Sequence, residues 1–131
     1  MNQNYDIQEI EAFLAEFVKT TGASQNVFEG QRPSNSVTLP SFIVVSVPTS
    51  VSDLAAYGSC TSRIEMFVQN DKQGLKKGKV FSSMYRKLAQ SFPITHDKYL
   101  FDTHPTIIQL GNDDDGYFVQ AININTLIKA V

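Results

Sequence analysis

The segment Leu39-Pro-Ser-Phe-Ile-Val-Val-Ser-Val47 constrains this chain more than any other. Its apolar, β-branched residues occupy both faces of an extended strand, which suits a central strand covered on two sides rather than an exposed edge. Pro48 closes it. The rest of the chain must therefore supply neighbours on both flanks and cover for both faces.

Two stretches have the spacing of covering helices. Asp6 offers an N-cap with Glu9 three residues later. From there Ile7, Ile10, Phe13, Leu14, Phe17 and Val18 fall in one helical arc, with Glu9 and Glu16 pointing away and Gly22 as the stop. Asn70-Asp71 is expected to cap a second helix in which Val80, Phe81, Met84, Tyr85, Leu88 and Phe92 share an apolar arc, with Lys79 and Arg86 opposite and Lys76 and Lys87 on the shoulders. Pro93 ends it.

Strands are expected at Asn26–Gly30, Leu39–Val47 and Thr61–Gln69, where Ile64, Met66 and Val68 alternate with Arg63, Glu65 and Gln69. A hairpin is expected from Thr106–Leu110 and 117–127, with Asp115-Gly116 in its turn. Residues 31–36, 49–58 and the stretch between Pro93 and Pro105 read as loops. The order is then α-β-β-β-α-β-β. That predicts an α+β fold with an antiparallel or mixed sheet and both helices packed on one face. The 131 residues suffice for a single domain, 1–131, burying roughly two thirds of its unfolded surface.

The one cysteine, Cys60, excludes an intrachain disulfide and any zinc site with two or more thiolates, and points to a reducing compartment. The N-terminus has no basic, apolar leader pattern, and the longest strongly apolar run, Phe42–Val47, falls far short of the roughly 20 residues a membrane span needs. The expectation is a cytoplasmic chain without membrane contact.

Chemistry-bearing patterns are sparse. His96, Asp97, Asp102 and His104 could form a His/carboxylate metal site and make the chain a small metal-dependent hydrolase. Their spacing is not that of a ligand-bearing helix, however, and a polar connecting loop accounts for them more simply. Asn112-Asp-Asp-Asp-Gly116 lacks the alternation and terminal Glu of a calcium loop and reads as a hairpin tip. Gly74-Leu-Lys-Lys-Gly78 lacks phosphate-loop spacing, and no nucleophile-elbow sequence surrounds Cys60 or any serine. No catalytic residue, metal or cofactor is assigned, and the chain is expected not to be an enzyme.

Charge is more informative. The total is −2, but residues 1–16 carry Asp6, Glu9, Glu11 and Glu16 with no base, while residues 72–87 carry Lys72, Lys76, Lys77, Lys79, Arg86 and Lys87 with no acid. Two ordinary solvated faces would account for this. So would docking between identical subunits in a head-to-tail ring, with Glu9, Glu16, Lys76, Lys79, Arg86 and Lys87 at the subunit interface. A nucleic-acid-binding adaptor using 72–87 is a third reading; without aromatic interleaving its contact would be limited to the backbone and non-specific.

Val27-Phe-Glu-Gly30, the loop with Pro33, Leu39-Pro-Ser-Phe-Ile-Val-Val45, the alternating strand Ile64 to Val68 and a helix ending near Phe92 resemble tail-completion or tail-terminator proteins of long-tailed bacteriophages. The likeness lies in strand texture and element order over residues 7 to 92 and the final hairpin. It implies a non-enzymatic structural protein of a phage or prophage, assembling in the cytoplasm into a ring, hexameric in such proteins. In the virion the ring would sit at the head-proximal end of the tail, a head-tail connector contacting tail-tube and neck proteins.

Overall fold

A computed structural model describes residues 6–34, 38–53, 57–101 and 106–129. Helix α1 spans Ile7–Thr21, as its caps predict. The Asp6 carboxylate accepts the amides of Gln8 and Glu9, and Gly22 leaves the helix in the left-handed region at φ 75°. Strands β1 (Val27–Glu29), β2 (Ser41–Ser46), β3 (Ser52–Asp53) and β4 (Tyr57–Gln69) follow, then α2 (Gly78–Ala89), β5 (Ile94–His96), β6 (Tyr99–Phe101), β7 (Thr106–Asn112) and β8 (Tyr117–Lys129).

The fold is α+β and mostly sheet. The strands form one mixed, strongly curled sheet of order β1-β2-β4-β8-β6-β5, with β3 also pairing β4 and β7 also pairing β8. Its spine is the antiparallel pair β4 and β8, each 13 residues long. On the far flank of β4 lie β2 and β3; on the far flank of β8 lie β7, beside 118–123, and β6, beside 126–128. Among the described strands only β1 with β2 is parallel.

The double-sided burial expected of Leu39–Val47 is present. Ile43 and Val45 enter a large inner cluster with Ile64, Met66, Ile122 and Ile124, where the buried residues of α1 (Ile10, Leu14, Ala15, Val18) and of α2 (Phe81, Met84, Leu88) also meet. Phe42 and Val44 point outward into a smaller cluster with Phe67, Tyr117 and Val119. Arg32 roofs this outer cluster: its guanidinium lies 5.1 Å from the Phe67 ring centroid, 5.7 Å from Phe42 and 5.8 Å from Tyr117.

The structure departs from the expected α-β-β-β-α-β-β at three places. The stretch 49–58, read as a loop, holds the extra strand β3 and the start of β4 at Tyr57, because pairing along all of β8 and with β3 fixes residues that lack alternation. The stretch after Pro93, also read as a loop, contains the β5–β6 hairpin, whose Ile94, Tyr99 and Phe101 are buried in the inner cluster. The second helix starts at Gly78, not at Asn70-Asp71, and ends at Ala89, so Phe92 lies beyond it yet packs against Phe17. Lys72, Lys76 and Lys77 therefore precede the helix rather than ride on it. Asp71 is the reason: its carboxylate accepts the amides of Gln73 and Leu75, each at 2.9 Å, and closes a turn that ends before the helix begins.

Candidate functional site

Of the two charged regions singled out by the sequence, the acidic one belongs to α1 and the basic one to the stretch leading into and along α2, and the structure treats them differently. On α1 the acids are occupied within the chain. Glu9 accepts a short hydrogen bond from the Tyr99 hydroxyl and lies 3.6 Å from Lys98. That hydrogen bond, aided by the Lys98 charge, holds the Glu9 carboxyl below its usual range, while burial and then the Glu9 contact push the Tyr99 phenol up. Glu11 accepts the Val47 amide at 2.9 Å, tying α1 to the end of β2. Glu16 forms an exposed pair with Lys19 at 3.2 Å, a contact that holds the carboxylate weakly.

The basic region has no such counter-charge. Among the described residues no carboxylate lies within ion-pair distance of Lys72, Lys76, Lys77, Lys79, Arg86 or Lys87. Lys76 donates to Gln109 on β7 at 3.0 Å and sits 5.0 Å from the Phe118 ring centroid. Lys87 donates to the Gly22 carbonyl at 3.4 Å. Arg86 and Lys87 suit the C-terminal end of α2, whereas Lys76, Lys77 and Lys79 crowd the N-terminal end, where the first turn has no acid and Lys77 provides no side-chain cap. Positive charge against the positive end of the dipole costs about 0.3–1 kcal/mol per residue. Local helix stability does not favour that arrangement.

Beside this helix end lies a groove of about 470 Å³ lined by Lys76, Lys79, Ser82, Tyr85, Ile107 and Gln120. Its outer wall is β7, which pairs β8 alone among the described strands and leaves Ile107 41% and Leu110 46% exposed. An edge strand seven residues long with exposed apolar side chains is a template for pairing with another chain. Sequence reasoning placed this strand correctly in a hairpin but missed that no other described strand pairs its outer edge. The available signal was the pair of adjacent isoleucines, Ile107 and Ile108, which face opposite sides of a strand and cannot both point into one core.

The histidine cluster is only partly visible. His96 stacks on the Phe13 ring with centroids 4.2 Å apart, and Asp97 forms the β5–β6 turn at φ 51°. Asp102 and His104 lie outside the described residues. No three His, Cys, Asp or Glu side chains converge among the described residues as a metal centre would require. Cys60 is buried, and desolvation pushes its thiol up against the opposing hydrogen bond with Ser62.

The acidic tip Asn112–Gly116 folds back on the protein. Asp113 accepts the amides of Asp115 and Tyr117, each at 2.9 Å, and Arg32 at 2.8 Å, while Asp115 pairs with Arg32 at 3.2 Å. Burial raises the Asp113 carboxyl, but these donors together outweigh it and leave it below the usual range. Among the described residues no helix is long and apolar enough to cross a membrane. The sequence matches no model of a known protein family and no curated protein.

Proposed function

We propose that this chain is a structural subunit that assembles with copies of itself into a closed ring of the phage tail-terminator or tail-completion kind. In this reading it caps the head-proximal end of a phage or prophage tail, with tail-tube and neck proteins as further partners. Both helices cover the inner face of the sheet, and the flanks are left for neighbours. The observation that carries the reading is the uncompensated basic region beside the free edge of β7. A cluster of cations without an internal counter-ion is a standing site for an anionic surface, and the repeating partner available to a ring is a second copy. The resemblance of the strand texture to tail-completion and tail-terminator proteins supplies the rest.

Light scattering on a sizing column at low and high salt tests it. The expected result is a discrete oligomer of ring mass that dissociates as salt rises. A strictly monomeric species at every concentration and ionic strength overturns the reading.

The same six cations favour a second reading, backbone contact with nucleic acid, which predicts duplex-DNA affinity falling steeply with salt. Neutralising Lys76, Lys79, Arg86 and Lys87 should then flatten that salt dependence. A flat response in the unaltered protein removes this reading.

A further inference from the structure

The register of the sheet gives its two flanks a definite relation. Two rows cross five strands on the inner face: Glu29–Val45–Ile64–Ile122–Ile107 and Val27–Ile43–Met66–Gln120–Gln109. Each row starts at β1, which among the described strands pairs β2 alone, and ends at β7, which among them pairs β8 alone. Between β2 and β7 every pairing is antiparallel, so β7 runs opposite to β2 and hence opposite to β1. A second copy displaced sideways in the same orientation therefore presents its β1 antiparallel to the first copy's β7, with the inner faces on one side.

The chemistry of the two flanks matches as well. At the β1 flank Glu29 is exposed and has no ion pair among the described residues. Its partner in register, Val45, belongs to the inner cluster, so Glu29 projects on the inner side at the rim. At the β7 flank the inner side carries Ile107 and Gln109, with Lys76 hydrogen-bonded to Gln109 and Lys79 lining the adjoining groove.

We propose that the β7 edge and the α2 groove receive the β1 edge of a second copy by strand addition, with Glu29 of that copy set against Lys76 and Lys79. This rests on the ring reading and assigns its interface. Pairing is head-to-tail, the type of contact that leaves no free flank when the rotation between neighbours closes into a ring. The acid partner is Glu29 rather than Glu9, which Tyr99 and Lys98 already hold.

Charge-swap variants and amide hydrogen exchange on the assembled full-length protein test it. On assembly the amides of 27–29 and 106–110 should gain protection. Lys76→Glu with Lys79→Glu, and separately Glu29→Lys, should each weaken assembly by about tenfold or more, and all three together should restore it to within about threefold. Circular-dichroism melts of each variant confirm that folding is retained. Unchanged exchange at 106–110 in an assembled wild-type protein overturns this interface and leaves the ring standing. A wild-type chain that never assembles overturns the ring, and this interface with it.

Discussion

Helix α1 and the basic stretch leading into α2 carry opposite charge, yet they differ most in what their charges touch. Two of the acids of α1 anchor the helix to other elements: Glu9 to the β5–β6 hairpin and Glu11 to the end of β2. The bases of 72–87 reach only neutral acceptors, Gln109 and the Gly22 carbonyl, or make no hydrogen bond among the described residues. A charged group held inside its own subunit stabilises the fold. One left without a counter-ion is available to a partner.

That contrast can be broken or sharpened by substitution. The largest effect belongs to the apolar face of α1, which the curled sheet encloses. Leu14→Ala should cost about 2–5 kcal/mol in urea unfolding, since Leu14 is fully buried. Glu11→Ala comes next, at about 1–3 kcal/mol, because it strips the acceptor from the Val47 amide.

Glu9→Gln should cost less and show chiefly in acid. The folded Glu9 carboxyl lies below its usual value, so its contribution is complete above the unfolded pKa of about 4.3 and is lost as pH falls through the lower folded value. The substituted protein should lack that segment of the acid-unfolding curve; an unchanged curve would place the Glu9–Tyr99 contact outside the stabilising set. Smallest is Lys76→Ala with Lys79→Ala, expected within about 0.5 kcal/mol of the parent. If those two lysines proved as costly to remove as Glu11, the contrast between the regions would fail.

The hairpin tip offers a parallel to α1. Asp113 is also an acid engaged within the subunit, and Asp113→Ala should destabilise the β7–β8 turn and leave Arg32 held over Phe42, Phe67 and Tyr117 by Asp115 alone among the described acids. Reduced protection of the Tyr117 amide in hydrogen exchange would register it.

Much of the fold was legible where a local signal had a single meaning. Asp6 and Gly22 bounded α1, and the apolar run at Phe42–Val45 announced a strand buried on both sides. Asp71 misled because the same carboxylate geometry serves a helix cap and a closed turn, and the choice depends on where the following amides go. Strands β5 and β6 were illegible for another reason. Three residues apiece carry no usable period, and they exist as strands because Ile94, Tyr99 and Phe101 pack into the inner cluster and β6 finds the end of β8. Of the candidate interface residues, Lys76 and Lys79 lie at the groove, whereas Glu9 is committed elsewhere and Glu29 was not singled out.

The sequence alone determined the covering helix α1, the doubly buried strand β2, the final hairpin and the segregation of charge between two segments of the chain, 1–16 and 72–87. These rest on neighbours within a few positions along the chain, where spacing is itself the geometry. Only the tertiary structure decided which charges were free and which strand edge was open. Both depend on contacts between residues dozens of positions apart, such as Glu9 with Tyr99 and Lys76 with Gln109, and no local period records them.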